Sequence, residues 1–169
     1  MKIGIINGPN LNMLSIREPD IYGTLTYDEL CKYIQIYVDE NYNKSDSLEE
    51  SIMNYSEKSN IELIFFQSNG EKEIIDFIQS SYREVDGYII NPAAFTHYSI
   101  AILDAIKSVP NPFIEIHISN IYSRETIRNT SITAGACIGT ISGFGKKSYT
   151  LGIDALIEFL NLEKHKKLT

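Results

Sequence analysis

Five short apolar runs recur along the chain, at residues 3–6, 61–66, 88–90, 113–118 and 137–141. Between them lie longer stretches in which apolar residues return every three or four positions. The runs are β-branched or aromatic and mostly continuous rather than alternating, as strands buried on both faces of a parallel sheet require. The intervening stretches predict amphipathic helices. The first opens on Thr26-Tyr27-Asp28-Glu29, a capping-box arrangement, and carries Leu30, Ile34, Tyr37 and Val38 along one face. Ile74, Ile75, Ile78 and Tyr82 mark the second, and Ile100, Leu103 and Ile106 the third. Leu151, Ala155, Leu156, Phe159 and Leu160 mark the last. Strand–helix repetition of this kind implies right-handed crossovers and helices on both faces of the sheet. The expected fold is an α/β three-layer sandwich, a flavodoxin-like doubly wound domain around a five-stranded parallel sheet.

Composition changes this picture little but narrows the partners. A chain of 169 residues is long enough for one domain, 1–169, with a proper core. The formal net charge of −7 argues against nucleic acid or an anionic membrane as partner, since both demand a basic surface. Cys31 and Cys137 lie far apart without metal or redox spacing, which suits two incidental thiols in a reducing compartment. No apolar run has the length of a signal-peptide core or a membrane span, so a cytoplasmic protein is expected. The polar 41–60 segment, with Leu48, Ile52, Met53 and Tyr55 in partial helical spacing, reads as a broken helix or a helix with an exposed loop. The charged tail, 163–169, is expected to fray.

Open parallel sheets bind ligands beyond the carboxyl ends of their strands, and the segments found there are unusually polar. They are Asn7-Gly8-Pro9-Asn10-Leu11-Asn12, Gln67-Ser68-Asn69-Gly70-Glu71, Asn91-Pro92-Ala93-Ala94-Phe95-Thr96-His97 and the end of the 113–118 run. Any one of them reads as an ordinary turn; four together suggest a site. His117 sits two positions after Glu115, so both side chains project to one side of the strand. A lone histidine in an apolar strand is often a satisfied core residue. A carboxylate buried beside it makes that costly and favours an acid–base histidine. His97, in a loop, reads equally well as functional or as exposed. Arg17 and Tyr22 share the segment Arg17-Glu18-Pro19-Asp20-Ile21-Tyr22-Gly23, and a close guanidinium would favour the phenolate, a competent base for a carbon acid. Arg124 and Arg128 are either a carboxylate clamp or solvated surface charge. Gly143-Phe144-Gly145-Lys146-Lys147 fails phosphate-loop spacing, and no cysteine–histidine cluster has zinc spacing.

Six stretches together resemble the type II 3-dehydroquinate dehydratases of the shikimate pathway. They are 6–14 (INGPNLNML), 17–23 (REPDIYG), 66–69 (FQSN), 90–97 (INPAAFTH), 114–128 (IEIHISNIYSRETIR) and 139–145 (GTISGFG). The resemblance implies cofactor-free, metal-free loss of water from 3-dehydroquinate through an enolate, on the route to chorismate and the aromatic amino acids. It implies Tyr22 as general base, Arg17 as the arginine that keeps it ionised, and His117 as the acid that protonates the leaving hydroxyl. Asn10 would hold a water against the enolate oxygen. Asn91, His97, Ile118, Ser119 and Arg128 match substrate-binding positions, and Glu115 matches a supporting carboxylate. Asp104 matches an acid used across a subunit boundary, in trimers assembled into dodecamers.

The chain departs from that family's pattern at several positions. Leu103 replaces an arginine before Asp104, which implies a weaker higher-order assembly, and Ala93 replaces a glycine after Asn91-Pro92. Gly70 and Lys72 interrupt a His-Glu-Gly stretch, Ser148 replaces a glycine near the last helix, and 41–60 is longer than the family norm. Two other readings remain, a flavodoxin-like nucleotide- or flavin-binding module and an inactive assembly subunit. The first is weakened by Gly8-Pro9-Asn10, because proline has no N–H to offer a phosphate.

Overall fold

The five apolar runs pair side by side, all parallel. The strands are β1 (Lys2–Asn7), β2 (Glu62–Gln67), β3 (Gly87–Asn91), β4 (Phe113–His117) and β5 (Gly139–Ser142), in the order β2-β1-β3-β4-β5. This is the flavodoxin-like doubly wound order, and the strand order reverses between β1 and β3. Four helices join them: α1 (Tyr27–Val38), α2 (Glu71–Ser81), α3 (Ile100–Lys107) and α4 (Lys147–Leu168). The computed structural model describes residues 1–16, 25–43 and 60–168. Among these, no helix is long and apolar enough to cross a membrane.

Alternation along the strands divides the apolar side chains into two cores. Ile3, Ile5, Ile89, Ile114 and Ile116 pack with Leu30, Ile34 and Val38 of α1 and Ile153, Leu156 and Ile157 of α4. Ile6, Tyr88, Ile90 and Phe113 pack on the opposite face with Ile74 and Ile78 of α2 and Ile102 and Ile106 of α3. The capping box forms as predicted: the Thr26 hydroxyl accepts the Glu29 N–H at 3.2 Å, and Glu29 accepts the Thr26 N–H at 2.8 Å. The Thr26 N–H, and the Thr26 hydroxyl donating at 2.9 Å, hold the Glu29 carboxyl below its ordinary value. The end of α1 is tied to α4 through Asp154, which accepts from Tyr37 at 2.8 Å and Tyr42 at 2.6 Å. Burial, with that carboxylate beside it, pushes the Tyr37 phenol up to about 12.

Several predicted faces and boundaries shift. In α3 the buried residues are Ile102, Ala105 and Ile106, whereas Ile100 is 64% exposed. In α4, Leu151 and Ala155 face outward, and Ile153, Leu156 and Ile157 face the sheet. The cause in α4 is Gly152, where a Cβ would lie 3.0 Å from Ile116 Cγ2, so the helix packs on its glycine side. β5 starts at Gly139, because a 3-10 turn at Thr133–Ala136 occupies the preceding residues. The 163–169 tail, expected to fray, is helical through Leu168, with Lys166 paired to Glu163 at 2.7 Å. Of the 41–60 segment, 44–59 lie outside the described residues. The Asn43 carboxamide accepts the Ile61 N–H at 2.8 Å and donates to the Ile61 carbonyl at 3.0 Å, which joins the described chain on either side.

The β1–β3 contact is close enough to demand glycine. A Cβ at Gly4 would lie 2.6 Å from the Tyr88 ring. That ring is stacked on Phe113 at 4.4 Å, and its hydroxyl is 2.7 Å from Ser81 Oγ, so it has little room to yield. Gly4→Ala should therefore cost about 1–3 kcal/mol through overpacking, read as a lower urea midpoint at unchanged slope. An unchanged midpoint would show that Tyr88 can move aside.

Candidate active site

The carboxyl ends of β1 and β3 lie in register, Asn7 beside Asn91, at the point where the strand order reverses. Above them the chain opens into a cleft lined by Pro9, Asn10, Leu14, Asn91, His97 and His117, with the Ile118–Ser119 pair, Arg124 and Arg128 along one wall. Seven of the residues singled out from sequence thus share one cleft: Asn10, Asn91, His97, His117, Ile118, Ser119 and Arg128. Glu115 does not line it but lies beneath His117, fully buried. Asp104 is exposed on α3 and away from the cleft of its own subunit. Arg17 and Tyr22 lie outside the described residues.

The loop after β1 is shaped by a close approach. Gly8 donates its N–H to the Asn91 carbonyl at 2.8 Å, and a Cβ there would meet the Pro92 carbonyl oxygen at 2.4 Å. Asn10 follows in a left-handed conformation, φ 65°, and its N–H donates to Asn69 Oδ1 at 2.8 Å. Gln67 Nε2 reaches the Gly8 carbonyl at 3.3 Å, so the end of β2 braces this loop. Ala93, in place of the glycine expected from the family pattern, also has a positive φ of 52°. A Cβ in that region costs roughly 1–2 kcal/mol, and the Ala93 N–H bonds to Asn91 Oδ1 at 3.2 Å.

Glu115 gathers a set of hydrogen bonds that includes His117. Its Oε1 lies 2.7 Å from His117 Nε2 and accepts from Thr96 at 2.8 Å and Ser131 at 2.6 Å, while Oε2 accepts from Thr133 at 2.5 Å. Burial by itself would raise the Glu115 pKa. The bonds from His117, Ser131 and Thr133, together with the His117 charge, outweigh it and hold the carboxyl below its ordinary value. An ionised carboxylate only accepts, so the proton between the pair sits on His117 Nε2. The next residues present polar groups to the cleft. Ser119 Oγ accepts from Arg124 at 2.8 Å, which leaves the serine's own proton for a ligand. His97 Nδ1 lies 2.8 Å from the Thr130 carbonyl, so Nδ1 carries the proton and Nε2 is an acceptor in the neutral ring. Arg128 pairs with Glu125 at 2.9 Å across an exposed surface, a bond weak enough to be exchanged for a ligand.

Ser131 and Thr133 were not signalled by the sequence, and Thr96 only as a member of the polar 91–97 segment. Hydroxyl residues in polar loops have many uses, and no spacing relates them to residue 115. Arg124 was singled out only as one of two alternatives, and its position on the cleft wall favours the functional one. Ser148, in place of a family glycine, donates to the His117 carbonyl at 2.9 Å and so adds a support that glycine lacks.

The family described as Dehydroquinase class II matches residues 1–45 and 35–157. The 3-dehydroquinate dehydratase of Carboxydothermus hydrogenoformans is 49% identical over 160 residues, covering 95% of this chain and 92% of that protein. That of Clostridium acetobutylicum is 52% identical over 161 residues, covering 95% and 99%. Among solved structures, the type II dehydroquinase from Butyrivibrio crossotus superposes with a TM-score of 0.80 at 45% identity, covering 92% of this chain and 97% of that one.

A carboxyl with a folded pKa below its unfolded value, about 4.3 for glutamate, stabilises the fold fully above the unfolded value. That contribution is lost as the pH falls through the folded value. Glu115→Gln should therefore be less stable than the parent by ~3 kcal/mol at pH 7, and the gap should narrow steadily below about pH 4.3. Urea midpoints of both proteins between pH 7 and 3 test this; a constant gap would mean that the carboxylate charge is not what the cradle stabilises.

Proposed function

The chain belongs to the class II dehydroquinase family, and on that premise we propose the route by which its cleft converts 3-dehydroquinate to 3-dehydroshikimate. The protein is a hydro-lyase of the shikimate pathway, a 3-dehydroquinate dehydratase. The observation that carries the route is the His117–Glu115 pair, opening on a cleft walled by amides, hydroxyls and two arginines. The chain 1–169 works as one catalytic domain in the cytoplasm.

A proton beside a ketone can be removed when the resulting enolate is stabilised, and a hydroxyl β to that ketone then leaves once it is protonated. Tyr22 takes the proton, with the Arg17 guanidinium favouring its phenolate; this assignment rests on the resemblance of residues 17–23. The Asn10 amide holds a water against the enolate oxygen. His117 gives its proton to the departing hydroxyl. With Nε2 engaged by Glu115, the transferred proton leaves from Nδ1, and the Glu115 carboxylate stabilises the imidazolium beforehand. Asn91 and His97 bind substrate hydroxyls. Ser119, the Ile118–Ser119 backbone and Arg128 hold the carboxylate, which explains how a protein of net charge −7 accepts an anion.

This sequence of steps needs no electron sink beyond the hydrogen-bonded enolate. The alternative, an imine formed on lysine, would need an amine in the cleft, and none of its described lining residues is a lysine. A flavodoxin-like nucleotide site is less well supported, because Pro9 stands where a phosphate would seek a backbone N–H. Asp104 serves the cleft of a neighbouring subunit, so the active unit is a trimer, with four trimers forming a dodecamer.

Dehydration creates a conjugated enone, so ultraviolet absorbance on adding 3-dehydroquinate reads the reaction directly. The parent should turn over, and Tyr22→Phe should lose ~10²–10⁴-fold in kcat with an unchanged melting temperature. Near-normal turnover by that variant would remove Tyr22 as base; no turnover by the parent would remove the whole assignment. Light scattering at assay concentration should give at least a trimer. A fully active monomer would rule out the role given to Asp104.

A further inference from the structure

Behind the cleft, on the side away from Glu115, runs a second buried polar chain that the route above does not use. Tyr149, in the first turn of α4, is fully buried, as is Asn7, and Asn91 is 3% exposed. The Tyr149 hydroxyl stands between the two carboxamides, 2.5 Å from Asn7 Oδ1 and 3.1 Å from Asn91 Nδ2. Asn7 and Asn91 are register partners at the ends of β1 and β3, so this phenol, 58 residues beyond Asn91, closes the switch point from below. We propose that Tyr149 is a positioning residue for the reaction, holding the Asn91 carboxamide in the orientation it presents to substrate.

The direction of every bond in the chain follows from one donor that cannot be reversed. The Ala93 backbone N–H points at Asn91 Oδ1, 3.2 Å away, so the carbonyl end of the amide faces it and Nδ2 faces Tyr149. The phenol therefore accepts from Asn91 and gives its only proton to Asn7 Oδ1. Asn7 Nδ2 is then turned toward the Tyr27 hydroxyl, at the longer distance of 3.5 Å. Burial pushes the Tyr149 phenol far up from its ordinary value, which favours the protonated hydroxyl.

An asparagine amide turns about a broad, two-fold torsion and has no orientation of its own; its partners decide it. Asn91 retains one N–H and one lone pair beyond these bonds, and the residue is among those lining the cleft. Phenylalanine would fill the Tyr149 position equally well, whereas a fully buried hydroxyl is costly unless bonded. Both of its partners lie at the switch point, and one of them faces substrate. The hydroxyl is thus explained by what it does to Asn91 rather than by packing.

This inference rests on the dehydratase reading and on Asn91 touching substrate. Steady-state kinetics on 3-dehydroquinate with the parent, Tyr149→Phe, Asn91→Ala and the double variant tests it. Tyr149→Phe should raise KM about tenfold, equivalent to about 1.4 kcal/mol, with kcat within about threefold. In the Asn91→Ala background it should raise KM no further. Should Tyr149→Phe not fold, Asn7→Ala, which removes the acceptor of the phenolic proton, should raise KM in the same direction and again only when Asn91 is present. An unmoved KM, or equal effects with and without Asn91, would overturn the proposal while the parent's activity stands. A parent that does not turn over 3-dehydroquinate would overturn the functional reading and this inference with it.

Discussion

A carboxylate fully buried at the end of a parallel sheet must be solvated by the protein itself, because an isolated charge there would be prohibitively unstable. Glu115 meets that demand with three hydroxyls and one imidazole, drawn from separate parts of the chain. Thr96 comes from the turn after β3, Ser131 and Thr133 from the long connection between β4 and β5, and His117 from β4 itself. The turn after β3 and the connection between β4 and β5 are therefore anchored on a single charge. Removing that charge would affect the tautomer of His117, the path of the 129–136 connection and the position of His97, whose ring bonds to Thr130 in the same connection. On the proposed route, structure and acid–base chemistry would share one set of bonds.

The other side of the cleft is held by neutral groups. Gln67, Asn69 and Asn91 brace the loop that presents Asn10, while Asn7 and Tyr149 lie beneath Asn91. Amides suit this position because each both donates and accepts, so a ring of them satisfies itself without adding charge to an already acidic protein. Among the described residues that line the cleft, the arginines are Arg124 and Arg128, and Arg124 donates to Ser119. On the proposed route, this division would separate the handling of an anionic substrate from the stabilisation of an enolate, with His117 between the two.

Two of the chain's departures from the family pattern have local consequences visible in the fold. Ala93 keeps the positive φ for which glycine is better suited, a strain carried next to Asn91. Ser148 fills its buried position with a hydroxyl that bridges the His117 carbonyl and, more weakly at 3.3 Å, accepts from the Phe144 N–H. One change strains the site and the other supports it. Nothing in the subunit explains Leu103, which is partly buried on α3 beside the exposed Asp104.

The sequence by itself determined the five strands, the capped start of α1 and the projection of Glu115 and His117 to the same side. Each of these depends on the chain's local pattern: short continuous apolar runs, a capping box, and i,i+2 neighbours on one strand. The resemblance of six short stretches located seven residues of the cleft as well. The tertiary structure alone decided which face α4 turns to the sheet, because that depends on where Gly152 lets the helix approach Ile116. It also decided which hydroxyls solvate Glu115, across separations of 16 to 19 residues, and that Tyr149 reaches Asn7 across 142. Serine, threonine and tyrosine have no periodic signature that marks a distant partner. Their roles are set when the winding of the sheet brings the ends of β1, β3 and β4 together.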